Sequence, residues 1–109
     1  MTLAVEIQEV RAAEELDLVR ELFRRYRDGL PPHLRFPDIE WRQLPGAYSR
    51  PRGALLHATA ARQSAGCVGL RPFPREGVCE IKRLFVRPGF RGHKLGHALM
   101  VRILVLPVN

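Results

Sequence analysis

Residues 78–99, Val-Cys-Glu-Ile-Lys-Arg-Leu-Phe-Val-Arg-Pro-Gly-Phe-Arg-Gly-His-Lys-Leu-Gly-His-Ala-Leu, contain the change of pattern that decides the fold. The first nine of them, residues 78–86, are rich in β-branched and aromatic side chains and predict a strand. Arg-Pro-Gly at residues 87–89 ends that strand. Apolar residues then recur at helical spacing, which predicts a helix with one buried face: Leu95, Leu99, Ile103 and Leu106.

Residues 91–96, Arg-Gly-His-Lys-Leu-Gly, connect the predicted strand to the predicted helix. A glycine-bearing loop at a helix N-terminus leaves several backbone N–H groups unpaired and pointing the same way. Arg91 and Lys94 add positive charge to that loop. The loop therefore predicts an anion site, and phosphate is the anion that we expect there.

The strand and loop together resemble the acyl-CoA-binding core of the GCN5-related N-acetyltransferase (GNAT) family. The family signature is Arg/Gln-x-x-Gly-x-Gly/Ala, preceded by a strand and a short turn that contains proline. Lys94 departs from it, because it stands at the position of the second glycine. The matching residues are Arg91, Gly92, Leu95 and Gly96 in the loop, with the strand end at residues 84–86, Pro88 and Phe90 before it.

This resemblance implies that acetyl-CoA is the acetyl donor and that a small amine or amino-acid-like molecule is the acceptor. The loop would hold the pyrophosphate of coenzyme A through backbone amides and the helix dipole, with Arg91, Gly92, His93, Lys94, Leu95, Gly96 and His97. The strand end would pair its backbone with the pantetheine arm and polarise the thioester carbonyl, with Leu84, Phe85 and Val86.

Glu80 is the candidate catalytic residue. A carboxylate at this position is the general base in the histone-acetylating branch of the family, and strict alternation along the strand places residues 80, 82 and 84 on one face of the sheet. Lys82 would share that face. Glu80 is therefore either the base or the partner of Lys82 in an ordinary ion pair on the strand.

The predicted order of elements is strand, helix, short helix, three strands and helix, which is a mixed α/β (α+β) fold. By resemblance, it is the N-terminal part of the GNAT fold. The family fold continues with a further strand, a helix and two closing strands, so we expect residues 1–109 to form a single, incomplete domain. In most family members the thiolate receives its proton from a tyrosine in that later part, and neither Tyr26 nor Tyr48 takes its place.

The first half of the chain supplies the remaining scaffold. Residues 3–10 alternate and predict a strand. A helix opens at residues 11–15 and is expected to stop at Gly29. Residues 37–44 predict two turns of helix. Within them, Trp41 is either a core residue or a contact to the acceptor, and the sequence leaves both open.

Three consecutive strands joined by tight turns predict an antiparallel meander. The turns are expected at residues 62–64 and 74–77. Gly66 and Gly69, inside the middle strand, indicate a close approach of another group or a kink. The strands are residues 53–60, 65–72 and 78–86.

The formal net charge of +7 suggests nucleic acid at first sight. Eight cations nevertheless lie between Arg71 and Arg102, around the predicted phosphate loop, against only Glu76 and Glu80. No aromatic-and-basic RNA-binding signature and no helix-turn-helix pattern accompanies them. Coenzyme A therefore explains the charge better, and nucleic acid is not the expected partner.

Targeting and cysteine usage point to the cytoplasm. No apolar run approaches the roughly 20 residues that span a bilayer, and an acidic residue interrupts the N-terminal apolar stretch, so neither a membrane partner nor export is expected. Cys67 and Cys79 have no metal-ligand spacing, and no metal is expected. We expect both to be small core residues on adjacent strands.

Two other functions compete with acetyl transfer. The chain could be a non-catalytic remnant that retains affinity for acyl-CoA, or a small basic nucleic-acid-binding protein, which rests on charge alone. Without a following strand, residues 78–86 would form an exposed sheet edge, which favours homodimers or aggregation through that edge.

Overall fold

The computed structural model describes residues 4–75 and 77–108. Within them, four strands form one antiparallel sheet in the order β1-β2-β3-β4, and the last three of these strands form the predicted meander. The mixed α/β fold is thereby confirmed. The elements are β1 (Val5–Glu9), α1 (Ala13–Asp28), α2 (Ile39–Arg42), β2 (Ala54–Ala60), β3 (Gln63–Pro72), β4 (Cys79–Val86) and α3 (Leu95–Leu104). None of the helices in these two ranges is long and apolar enough to cross a membrane.

Several boundaries differ from the sequence prediction. The α2 helix has a single turn rather than two, and Gly29 caps α1 as expected. The β2–β3 turn lies at Ala61 and Arg62, one residue earlier than predicted, and both adopt positive φ values of 50° and 65°. Such a two-residue turn matches the twist of the paired strands even without glycine. Leu3 and Glu76, at the ends of predicted elements, are outside the described residues.

The sheet separates two hydrophobic layers. On one face, α3 packs Leu95, Leu99 and Ile103 against β2 and β3; we call this layer the α3-side core. On the other face, α1 packs Val19, Leu22 and Phe23 against the sheet together with residues of the α1–β2 connection; we call this the α1-side core. Burial of these apolar faces stabilises the fold at roughly 25 cal/mol per Å².

A buried polar group ties α1 to the sheet. His57 on β2 is 2% exposed. Its Nδ1 lies 3.0 Å from Oε2 of Glu15 on α1, and its Nε2 lies 2.9 Å from Oγ of Ser64 on β3. Both ring nitrogens are therefore satisfied, as a buried imidazole requires.

The two cysteines occupy different environments. Cys67 is fully buried, and burial raises the pKa of its thiol, so the group stays protonated. Its Sγ donates to the carbonyl oxygen of Arg83 at 3.5 Å. Cys79 is exposed. The prediction that both are core residues is wrong for Cys79, because it begins β4 at the unpaired edge of the sheet.

The β4 strand contains a β-bulge that the sequence analysis missed. Lys82 pairs with Gly69 and Phe85 pairs with Cys67, so Arg83 and Leu84 together stand opposite Val68. Arg83 has a φ of 59°. A bulge adds one residue to one strand, bends it and takes backbone groups out of the regular ladder.

The bulge overturns the predicted alternation. Leu84 packs against the α3-side core, whereas Phe85 packs against the α1-side core. Glu80 pairs in register with Arg71, on the same face as Lys82 and Phe85. Glu80 and Leu84 therefore lie on opposite faces of the sheet. Strict alternation failed because one inserted residue reverses the facing of every residue after it.

Candidate functional site

The loop before α3 presents free backbone amides. Gly92 has a φ of 88°, and Lys94, the N-cap of α3, has a φ of 58° and makes no side-chain capping bond. Across residues 92–97, the backbone N–H groups have no backbone acceptor within the described part of the chain. Such amides at the positive end of a helix dipole bind anions.

A cavity of about 290 Å³ opens at this loop. It brings together seven of the ten residues that the sequence assigned to acyl-CoA: Leu84, Val86, Arg91, Gly92, Lys94, Leu95 and Gly96. Arg91 is anchored beside the cavity, because its Nε donates to the carbonyl oxygen of Val86 at 2.9 Å, and its guanidinium lies 5.9 Å from the centre of the Phe85 ring. His93 and His97 are exposed and do not line this cavity.

Phe85 faces the other side of β4. Its ring stacks on Tyr26 of α1, with centroids 5.5 Å apart and planes 7° apart. Any contact of Phe85 with a pantetheine arm on the cavity side would therefore be made by its backbone. The side chain instead joins β4 to the α1-side core.

Glu80 is held by two cations. Its Oε1 accepts from Nε of Arg71 at 3.3 Å, and its Oε2 lies 3.8 Å from Nζ of Lys82. The ion pair with Lys82, which alternation predicted, is present. The Glu80 side chain is nevertheless 29% exposed, so solvent and a small molecule can reach it.

A second carboxylate, which the sequence analysis did not single out, lies beside it. Glu40 on α2 contacts Nη2 of Arg83 at 3.2 Å, Nη1 of Arg71 at 3.5 Å and the hydroxyl of Tyr48 at 3.3 Å. No local pattern marks Glu40, because a single turn of helix in a proline-rich connection carries little periodicity. Its position depends on how that connection folds over the sheet.

Tyr48 completes this polar cluster. Its ring fills the space that the missing side chain of Gly69 leaves, since a Cβ on Gly69 would lie 2.5 Å from the ring. The predicted close approach at this glycine is confirmed. Burial, with the nearby Glu40 carboxylate, raises the pKa of Tyr48 to about 12, so its hydroxyl stays protonated and donates to Glu40. A cavity of about 150 Å³ is lined by Glu40, Tyr48 and Arg71.

Trp41 lies beside this cluster, outside that cavity. It packs against the α1-side core, and its ring meets Phe36 edge-on with centroids 6.3 Å apart. The guanidinium of Arg27 lies 5.5 Å from its centre. Of the two roles left open by the sequence, packing is the one for which the structure provides contacts.

The profile of the Acetyltransferase (GNAT) family matches residues 16–105, from α1 through the end of α3. The matched range includes the loop before α3, the bulged strand β4 and the polar cluster around Glu40 and Tyr48. The chain belongs to the GNAT family.

Two curated N-acetyltransferases are similar to this sequence. An uncharacterized N-acetyltransferase of Schizosaccharomyces pombe is 35% identical over 103 residues, covering 92% of this chain and 63% of its own length. An uncharacterized N-acetyltransferase of Dictyostelium discoideum is 26% identical over 157 residues, covering 87% of this chain and 73% of its own length. The chain thus spans less than two thirds of the yeast relative.

Solved GNAT structures share the fold. A GNAT-family acetyltransferase of Staphylococcus aureus superposes with a TM-score of 0.70 at 17% identity, covering 93% of this chain and 64% of that one. PaiA N-acetyltransferase of Thermoplasma acidophilum, solved in complex with coenzyme A, superposes with a TM-score of 0.66 at 18% identity, covering 91% of this chain and 69% of that one. At these identities the similarity establishes the fold.

Proposed function

We propose that this chain is the donor-binding part of an acyl-CoA-dependent N-acetyltransferase that transfers acetyl directly to a small amine or amino-acid-like acceptor. The observation that carries the proposal is the cavity at the start of α3. It combines unpaired amides, the left-handed backbone of Gly92 and Lys94, and the charge of Arg91.

Coenzyme A fits this cavity chemically. Its pyrophosphate would lie on the amides of residues 92–97, with the charges of Arg91 and Lys94 close by. Its pantetheine arm would follow the α3-side face of β4 past Val86 and Leu84, which line the same cavity. The thioester would then lie beside the bulge, where backbone N–H groups outside the ladder are available to an oxyanion.

In this proposal, the acceptor and the acetyl donor react with each other from opposite sides of β4. Glu80 accepts a proton from the acceptor ammonium, and the freed amine nitrogen attacks the thioester carbon. A C–N bond forms and the C–S bond breaks. The coenzyme A thiolate takes the second proton, which the attacking nitrogen loses on becoming an amide, and leaves as the thiol. Because Glu80 is on the α1 side and Leu84 on the α3 side, donor and acceptor approach from opposite faces of the strand.

A non-catalytic, acyl-CoA-binding chain is the second candidate. It is favoured by the contacts of Glu80 with Arg71 and Lys82, because a carboxylate in a purely structural ion pair makes the same contacts. The outer edge of β4 pairs with no strand in residues 4–75 and 77–108. Such an edge exposes unpaired N–H and C=O groups, so the proposal includes a homodimer formed through β4.

The proposal also includes a cytoplasmic location for the protein, where the free thiols of Cys67 and Cys79 stay reduced.

Calorimetric titration with coenzyme A tests the donor site. Gly96→Val should abolish binding, because its branched side chain crowds the phosphate-binding amides. The fold should tolerate it, since a Cβ at Gly96 would meet only Val86 Cγ2 at 3.8 Å. Gly89→Val is the matched control, because nothing lies within 4 Å of a Cβ there. Unchanged affinity in the Gly96 variant would contradict the assignment.

A thiol-release assay then separates the two candidates. With acetyl-CoA and a panel of small amines, an N-acetyltransferase releases coenzyme A at a rate that depends on the amine. A chain that binds coenzyme A and releases no thiol with any amine is the non-catalytic form. A protein that does not bind coenzyme A at all would contradict both.

A further inference from the structure

Five charged side chains form one connected cluster on the α1 side of the sheet. We call it the Arg71 cluster. It contains three cations and two carboxylates joined by contacts of 3.2–3.8 Å: Glu40, Arg71, Glu80, Lys82 and Arg83. One positive charge is therefore left unbalanced within the cluster. A partly buried excess charge of this kind favours a ligand of opposite sign.

Within the cluster, Arg71 is the cation that lines the cavity of about 150 Å³, whereas Lys82 is 32% exposed but does not line it. Arg71 contacts Glu80 and Glu40 through Nε and Nη1, while no hydrogen bond of its Nη2 occurs in the described part of the chain. The side chain is 28% exposed and lines the cavity of about 150 Å³. Arg83, in contrast, is covered by the Phe36 ring at 3.8 Å and is 14% exposed.

The shape of the cavity limits the size of the ligand. Its volume corresponds to roughly five water-sized groups, at about 30 Å³ each. Ile39, Pro45 and Tyr48 supply apolar walls next to Arg71 and Glu40. Such a space accepts a carboxylate with a short aliphatic chain.

We infer that the acceptor is a small amino acid or close analogue whose carboxylate pairs with Arg71. This inference rests on the proposed function, because it identifies the acceptor of the same site. Arg71 stands in register with Glu80, and its Nε lies 3.3 Å from that carboxylate. A carboxylate held by Arg71 therefore keeps the amine of a short amino acid within reach of Glu80, the proposed base.

Binding of matched acids and amides tests the inference without requiring turnover. The probes are alanine and β-alanine, their carboxamides, and 2-aminoethyl phosphate, titrated by ligand-observed NMR with and without saturating coenzyme A. We expect wild type to bind each acid at least tenfold more tightly than its amide. Equal binding of acid and amide, no binding of either, or tighter binding of the aminoalkyl phosphate would overturn the inference.

Variants test whether Arg71 causes the preference for an acid over its amide. Arg71→Gln should remove the difference between acid and amide, and Arg71→Lys should retain part of it because the charge remains. Arg102→Gln, which removes an exposed arginine from α3 on the other face of the sheet, should retain all of it. A folded Arg71→Gln variant that still prefers acids would overturn the assignment to Arg71. If that variant does not fold, the wild-type comparison and Arg71→Lys decide.

The proposed donor site and the proposed pairing of the acceptor carboxylate with Arg71 are contradicted by different results. Failure of the wild-type protein to bind coenzyme A in the titration above contradicts the proposed donor site, whatever the result with the acids. If the wild-type protein binds each acid and its amide equally tightly, only this inference is contradicted. The donor site on the opposite face of β4 is measured independently by the coenzyme A titration.

Discussion

The guanidinium of Arg83 lies 3.8 Å from the centre of the Phe36 ring, and the same side chain contacts Glu40 through Nη2 at 3.2 Å. The bulge makes this arrangement possible, because the φ of 59° at Arg83 displaces it from the regular alternation of β4. The α1–β2 connection is thereby anchored to the strand that the donor is proposed to follow. Nε of Arg83 is buried without a hydrogen-bond partner among the described residues.

Arg83→Lys should lower the free energy of unfolding by about 1 kcal/mol. Lysine keeps the charge but loses the planar face that lies over Phe36. Urea denaturation measures the change, and Arg102→Lys on exposed α3 serves as the control. An Arg83→Lys variant as stable as that control would show that the contact with Phe36 contributes nothing.

Tyr48→Phe should change how stability depends on pH. Burial beside Glu40 raises the pKa of Tyr48 from 10.0 to about 12, so the folded protein holds the phenolic proton more tightly than the unfolded chain. That stabilisation is fully present below pH 10 and is lost as the pH rises from 10 to 12. Denaturation across this range should show a steeper loss for wild type than for Tyr48→Phe. Parallel pH curves would contradict the prediction.

Glu80→Gln should lower acetyl transfer about 10²–10⁴-fold, the usual contribution of a positioned base. Coenzyme A affinity should be retained, because Glu80 lies on the face opposite the donor cavity. Steady-state thiol release measures the rate, with Glu6→Gln on exposed β1 as the matched control. If Glu80→Gln loses stability and keeps its rate, the carboxylate is a structural partner of Arg71 and Lys82.

Lys94→Gly should be more stable than Lys94→Ala by about 1 kcal/mol. Both variants remove the ammonium group, but only glycine adopts a φ near 58° without steric cost. Chemical denaturation of the pair isolates this backbone term. Coenzyme A affinity should fall equally in both, because the lost ammonium is common to them. Equal stabilities would contradict the left-handed conformation at Lys94.

Local sequence information determined most of the scaffold. Strand propensity and helical periodicity are properties of neighbouring residues, so the meander, α1 with its stop at Gly29, and the apolar face of α3 could all be predicted. The same holds for the loop before α3, because a glycine-bearing basic segment before a helix is recognisable in any context as a candidate anion site.

Only the tertiary structure decided which side chains meet on the α1 side of β4, where the acceptor is proposed to bind. The bulge depends on how β4 pairs with β3, and it reversed the facing of Leu84 relative to Glu80. Glu40 reaches Arg71 and Arg83 because a connection without strong periodicity packs over the sheet. Strand register and long-range ion pairs arise from contacts between residues tens of positions apart, and neither propensity nor spacing within one segment encodes them.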